Sequence, residues 1–202
     1  MPSISLTNPE NVINLTLGSA SNPKIGGRVD LSKFLDLTYF NGNSLDLTAI
    51  VGFENLSKLE FFYITDNLLD ATPIPTLDKT ALVEFDISNQ TSGDGGPTDI
   101  VEGWSVPESI MKFNISDTAI GGDDDDGAVK LKILTAFYHV FKDFDAGSKA
   151  GGQILADNTG GIISVNGGLL YAPYGTDSPP IDITTALTTL NTVGFTFTAN
   201  EF

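Results

Sequence analysis

Four consecutive aspartates, Asp123, Asp124, Asp125 and Asp126, are the densest group of potential ligands in the sequence. Calcium is bound by oxygen ligands such as carboxylates, so the run is a weak candidate for a metal site. A calcium loop of the helix-loop-helix type needs alternating ligands, a central glycine and a distal glutamate, and that spacing is missing. We favour the interpretation that one aspartate caps a helix starting near Gly127 while the others complement its dipole.

Other residues that could carry out catalysis are few. The chain has no cysteine, which excludes disulfide scaffolds, thiolate metal sites and cysteine nucleophiles. His139 is the single histidine; it has no serine nucleophile motif nearby and is expected to be structural. The carboxylates form no acid–base pair that the sequence supports. We therefore predict no enzymatic activity and no cofactor, and a hydrolase using the aspartate run is the least favoured hypothesis.

The composition narrows the possible partners. The 202 residues include 26 acidic and 10 basic side chains, a net charge of −16, while 41% are hydrophobic. The apolar content is sufficient for a folded core, and the negative charge argues against nucleic acid and anionic membrane surfaces. No basic, apolar leader is visible at the N-terminus, and no stretch approaches the roughly 18 apolar residues of a membrane span. The expected setting for folding and assembly is a cytoplasm.

A repeated sequence pattern predicts the secondary-structure elements of the chain. The pattern begins near Leu35, Leu56, Leu82 and Pro107, and its asparagine-equivalent positions are 43, 67, 90 and 118, at intervals of 24, 23 and 28 residues. A leucine-rich repeat has a period of about 20–29 residues and the signature L-x-x-L-x-L-x-x-N-x-L. The copy from Leu56 reads Leu56-x-x-Leu59-x-x-Phe62-x-Ile64-x-x-Asn67-x-Leu69.

Such repeats stack short parallel strands roughly 4.8 Å apart. A buried asparagine after each strand can bond the backbone groups of the turn, and Gln90 and Thr118 are expected to be poorer substitutes for Asn67. Alternate strand residues point into an apolar column, predicted as Thr38 and Phe40, Phe62 and Ile64, Phe85 and Ile87, and Phe113 and Ile115.

The intervening residues are predicted to point outward, onto the concave face of the repeat. Exposed aromatic side chains there suggest a contact site, and the alternative is that loops or neighbouring side chains cover them. The predicted partner-binding residues are Leu37, Tyr39, Phe61, Tyr63, Asp86 and Asn114.

The predicted fold class is α/β: a short leucine-rich-repeat solenoid of about four repeats with parallel short strands. Residues 1–28 are assigned to an N-terminal β arm or cap, because a solenoid needs covered ends. Residues 29–121 hold the repeats, and residues 122–202 form a C-terminal cap in the order helix, strand, helix, strand, which continues the solenoid. The helices are read from apolar residues at helical spacing in "DGAVKLKILTAFYHVFKDF" and from "DITTALTTLNTVG".

The combination resembles the short, cysteine-free repeat proteins of bacteriophages that are associated with the virion or the tail fibre. The resemblance covers roughly residues 30–200. It is carried by the segments "IPTLDKTALVEFDISNQ", "VPESIMKFNISDTAI", "GGQILADNTGG" and the ending "ITTALTTLNTVGFTFTAN". Bacterial surface and effector proteins carry similar repeats.

This resemblance implies a non-enzymatic structural role in the virion, as a decoration of the capsid or tail. The expected partners are other virion proteins or a host-surface component, bound through the repeat face or the N-terminal arm, with a homo-oligomer within the assembly as a further possibility. Neither nucleic-acid binding nor membrane insertion is expected. The alternative is a bacterial surface adhesin or effector, against which the lack of a visible secretion signal argues.

Overall fold

The computed structural model describes residues 8–18, 24–70, 73–78, 80–90, 97, 99–119, 127–155, 169–170 and 181–198. The α-helices of these residues are α1 (Gly127–Phe141) and α2 (Ile183–Val193), and short 3₁₀ helices span Pro9–Asn11 and Phe53–Asn55. The strands are β1 (Asn14–Thr16), β2 (Gly27–Asp30), β3 (Tyr39–Asn41), β4 (Leu47–Val51), β5 (Phe61–Tyr63), β6 (Glu84–Asp86), β7 (Lys112–Asn114), β8 (Gly152–Leu155), β9 (Leu169–Leu170), β10 (Ile181–Asp182) and β11 (Phe195–Thr198).

One sheet organises the described part of the chain. Its seven strands lie in the order β1-β3-β5-β6-β7-β8-β11, and every neighbouring pair is parallel. Each strand therefore lies beside the previous one after a complete turn of the chain, which is the arrangement of a solenoid. The coarse prediction, an α/β fold with stacked parallel strands, is confirmed. On the opposite side of the core, β2 and β4 form a small parallel pair.

A column of phenylalanine rings fills the interior behind the strands. The ring centroids of consecutive members are 5.4, 5.6 and 5.5 Å apart, with interplanar angles of 25°, 12° and 10°. A parallel ladder repeats the same strand position at each turn, so identical flat side chains can stack along it. Burial of each ring contributes about 2–3 kcal/mol. The members are Phe40, Phe62, Phe85 and Phe113, which are at most 3% exposed.

The first repeat lies in a different register from the predicted one. Phe40 pairs with Phe62, whereas the pattern had placed Thr38 there. Leu37 is fully buried and Thr38 only half-buried, because the pair Leu37-x-x-Phe40 reproduces the spacing of Leu59-x-x-Phe62. The predicted alignment of the first repeat is thus wrong by two residues.

Asn67 is the buried polar residue in the turn that follows β5. It is fully buried, and its Oδ1 accepts hydrogen bonds from the backbone N–H groups of Leu45 (3.1 Å) and Leu47 (2.9 Å). Its Nδ2 donates to the carbonyls of Gly42 and Ile64, both at 2.9 Å. The side chain thus satisfies backbone groups in its own turn and in the preceding one.

The two following turns differ in how well their side chains replace asparagine. Gln90 Nε2 donates to the carbonyls of Ile64 (3.0 Å) and Ile87 (2.8 Å), and its Oε1 accepts from Leu69 N (3.2 Å). Gln90 therefore links two turns as Asn67 does, but its oxygen accepts from one backbone N–H group where that of Asn67 accepts from two, which agrees with the expectation of a poorer substitute. Thr118 Oγ1 donates within its own turn, to the carbonyl of Ile115 at 2.7 Å.

The C-terminal helices close the column of rings. α1 packs against α2, and the Phe137 ring lies 5.5 Å from Phe113 and 5.7 Å from Phe195. Gly194 has φ +121°, and a Cβ there would meet the backbone N of Ala150 at 2.5 Å, so glycine is required where α2 turns into β11. Within the described residues, neither helix has the length and apolar character needed to cross a membrane.

We predict that Asn67→Ala lowers the free energy of unfolding by about 2–4 kcal/mol, because it leaves two buried backbone N–H groups without an acceptor. Urea denaturation followed by circular dichroism measures the change. The matched control is Asn55→Ala, which removes an exposed asparagine and should cost less than about 0.5 kcal/mol. Equal stabilities for the two variants would contradict the role given to Asn67.

Candidate functional site: the outer face of the sheet

The side of the sheet opposite the phenylalanine column presents two rows of side chains. Strand residues alternate between the two faces, and the parallel register brings the same position of each strand together. We call this surface the outer sheet face. Its first row is Tyr39, Phe61, Glu84 and Lys112, and its second row is Asn41, Tyr63, Asp86 and Asn114.

The structure brings five of the six predicted partner-binding residues onto the outer sheet face: Tyr39, Phe61, Tyr63, Asp86 and Asn114. The prediction for Leu37 is wrong. Its side chain is fully buried, because the two-residue shift of the first repeat makes Leu37 equivalent to the buried Leu59, which precedes its strand.

Three aromatic side chains form one end of the face, and we call them the aromatic patch: Tyr39, Phe61 and Tyr63. The Tyr39 ring centroid lies 6.3 Å from that of Phe61 and 5.7 Å from that of Tyr63, with tilts of 44° and 57°. All three side chains are half-buried. Because each tilted ring covers only part of its neighbour, apolar surface remains open to a partner.

Asp86 is the centre of the polar end. It is 6% exposed, and its Oδ2 accepts from Lys112 Nζ and Asn114 Nδ2, both at 3.0 Å. Its Oδ1 accepts from Ser88 Oγ at 2.6 Å and Ser88 N at 3.1 Å. Buried charges need such pairing, so Asp86 organises its neighbours and is not itself open to a partner.

A side-chain hydrogen bond joins the two ends of the face. The Tyr63 hydroxyl donates to Glu84 Oε2 at 2.8 Å. Burial raises the pKa of Tyr63 above its ordinary value, and the hydrogen bond and the negative charge of Glu84 raise it further. Tyr63 is therefore a neutral donor at physiological pH, and its ring is held in a fixed orientation. No residue pattern in the sequence indicates this contact, because it depends on the register between β5 and β6.

The described residues contain no group of three or more histidine, aspartate or glutamate side chains placed to hold a metal ion. Asp123, Asp124, Asp125 and Asp126 lie outside the described residues, so the aspartate run stays a prediction. His139 belongs to α1, away from the outer sheet face, and its Nε2 is buried without a hydrogen-bond partner in the described part of the chain.

An apolar cavity of about 210 Å³ lies on the core side of the sheet, between β4 and residues 73–75. Its lining includes Ile50, Phe62 and Ile74, with Thr48 and Asp70 among its polar residues. Ligand pockets usually enclose about 300–1,000 Å³ and hold several convergent polar groups. This space is smaller, and the outer sheet face is the stronger candidate.

Comparison of the chain with protein-family models, with curated proteins and with solved structures gives no match. The arrangement of parallel repeats is therefore established by the structure alone. The finer assignments, to leucine-rich repeats and to bacteriophage proteins, stay predictions.

We predict that the Tyr63–Glu84 contact makes stability fall at alkaline pH. The tyrosine of the unfolded chain ionises near pH 10.0, while Tyr63 in the folded protein keeps its proton to higher pH. The contribution of Tyr63 to the free energy of unfolding is therefore complete below pH 10 and is lost as the pH rises through the pKa of the folded state. Urea denaturation below and above pH 10 should show a smaller loss for Tyr63→Phe than for wild type. The control is Tyr138→Phe, at a half-buried position on α1, whose free energy of unfolding should fall with pH as steeply as that of wild type. An equally steep fall for Tyr63→Phe would refute this account.

Proposed function

We propose that the protein is a non-enzymatic interaction module that binds a protein partner through its outer sheet face. The observation that supports this most directly is the aromatic patch, in which three half-buried rings stand side by side on a sheet stiffened from behind by the phenylalanine column. Aromatic side chains are enriched in protein interfaces and carry much of their binding energy. Because the patch is already ordered, binding costs little conformational entropy.

The setting that we propose is a bacteriophage particle, in which the chain is a leucine-rich-repeat protein decorating the capsid or tail. This part of the proposal rests on the resemblance of the repeat and C-terminal segments to virion-associated proteins. The partner would be another virion protein or a host-surface component. The competing proposal, a bacterial surface or effector protein, uses the same face on a different partner.

We expect the chain to be present in purified phage particles and its retention there to depend on the aromatic patch. The test compares particles assembled with wild type and with the double variant Tyr39→Thr/Phe61→Thr, in which threonine keeps strand propensity but removes the rings. Quantitative mass spectrometry should show at least about a tenfold loss of the variant from particles, which corresponds to about 1.4 kcal/mol.

The matched control is Leu35→Thr, which removes an apolar side chain that is 50% exposed outside the outer sheet face and should be retained like wild type. A second variant, Ile13→Thr, removes a side chain that is 56% exposed near the N-terminal strand and measures any contribution of the N-terminal arm. Absence of wild-type protein from particles would refute the virion assignment. Full retention of the double variant would refute binding through the patch.

A further inference from the structure

We propose that the aromatic patch, together with the Glu84 carboxylate beside it, is a binding site for an arginine side chain of the protein partner. This inference rests on the proposed function and specifies the chemistry of the contact. The juxtaposition that carries it is a cluster of open ring faces next to a carboxylate that has no cation of its own among the described residues.

The aromatic half of the site comes from Tyr39, Phe61 and Tyr63. The face of an aromatic ring carries negative electrostatic potential and attracts a cation placed within about 6 Å of its centroid. The tilts of 44° and 57° between the rings give the patch a corrugated surface. A planar guanidinium can stack on one ring while the edge of its neighbour limits sideways movement.

The charges on the face favour the same kind of partner. Lys112 is paired with Asp86 at 3.0 Å, so this ammonium is already used. Glu84 accepts the Tyr63 hydroxyl at 2.8 Å and forms no salt bridge with a described residue. A carboxylate has acceptor positions beyond the one used by Tyr63, and no hydrogen bond from another described residue is seen at them.

The surroundings of the patch add to this negative potential. Glu60 is exposed and immediately precedes β5, which adds a negative charge at the start of this strand. The chain as a whole has a net charge of −16. Long-range attraction of a basic surface, followed by one buried cation at the centre, is the usual way in which charge complementarity speeds association and fixes orientation.

The molecule uses the same chemistry internally. Lys149 Nζ lies 5.3 Å from the Phe141 ring centroid and 5.8 Å from that of Phe144, and the same ammonium donates to the carbonyl of Glu108. Rings and an oxygen acceptor together thus hold a cation between α1 and the turn before β8. At the aromatic patch the rings and the acceptor are present, but no described residue of the chain supplies the cation.

Arginine fits better than lysine for a geometric reason. Its guanidinium is flat and carries donors along its edge, so it can stack on a ring and donate to a carboxylate at the same time. An ammonium is a compact and strongly hydrated charge that gains less from stacking. The site should therefore discriminate between two side chains of equal charge.

The test uses hexa-arginine as the probe, with hexa-lysine and hexa-glutamate for comparison. Titration followed by NMR should shift the ring resonances of Tyr39, Phe61 and Tyr63 saturably with hexa-arginine, more weakly with hexa-lysine and not with hexa-glutamate. Phe61→Leu should weaken hexa-arginine binding about 5- to 30-fold, the range given by a cation–π contribution of about 1–2 kcal/mol. If this variant does not fold, Tyr39→Leu takes its place.

The matched charge control separates the site from general attraction to an acidic protein. Glu84→Gln and Glu102→Gln change the net charge equally, and Glu102 is exposed outside the outer sheet face. Binding should weaken at least about fivefold more in Glu84→Gln than in Glu102→Gln.

Equal effects of these two variants, or hexa-arginine shifts centred elsewhere, would overturn the arginine site. Preference of the patch for a neutral apolar peptide would overturn it as well. The two proposals can fail separately. If patch variants are lost from particles but bind hexa-arginine like wild type, the interface stands and only the arginine site is wrong.

Discussion

The phenylalanine column is the constraint on which the rest of the structure depends. Parallel strands of three or four residues offer few backbone hydrogen bonds, so they need an interior that repeats in step with the ladder. Rings that stack about 5.5 Å apart supply that repeat, because a strand that slipped by one residue would exchange its buried ring for an outward side chain. The column thus fixes the register, and the register fixes which side chains meet on the outer sheet face.

The strand register that the core fixes also determines which side chains are neighbours on the outer sheet face. Tyr63 reaches Glu84 and Lys112 reaches Asp86 because neighbouring strands present equivalent positions side by side. Neither contact could form in another register. The aromatic patch is consequently a preorganised surface built on strands, and its members need little rearrangement to meet a partner. The lengths of the returning segments can vary behind the sheet without altering this surface.

Much of the fold could be predicted from the sequence, because the spacing around Phe62, Phe85 and Phe113 is repeated with little variation. The first repeat could not be aligned correctly. Its residues fit the repeat in two alignments, one with Thr38 in the interior and one with Leu37. Only the packing of Phe40 on Phe62, which the structure shows, decides between them. Five predicted face residues followed from alternation along the strands. Their contacts did not, since a hydrogen bond between strands depends on register and rotamer, which a pattern of residue types does not contain.

Asn67 and Gln90 each bond the backbone of two consecutive turns, whereas Thr118 bonds its own turn. In a solenoid, stability is a sum of the intrinsic stability of each repeat and the coupling between neighbours. The side chains of the earlier turns therefore raise the cooperativity of unfolding, and that coupling weakens at Thr118. The side-chain bond that is missing at Thr118 would have joined the turn after β7 to the turn after β6. The aromatic patch, on β3 and β5, thus lies where neighbouring turns are joined by side-chain hydrogen bonds as well as by strand pairing.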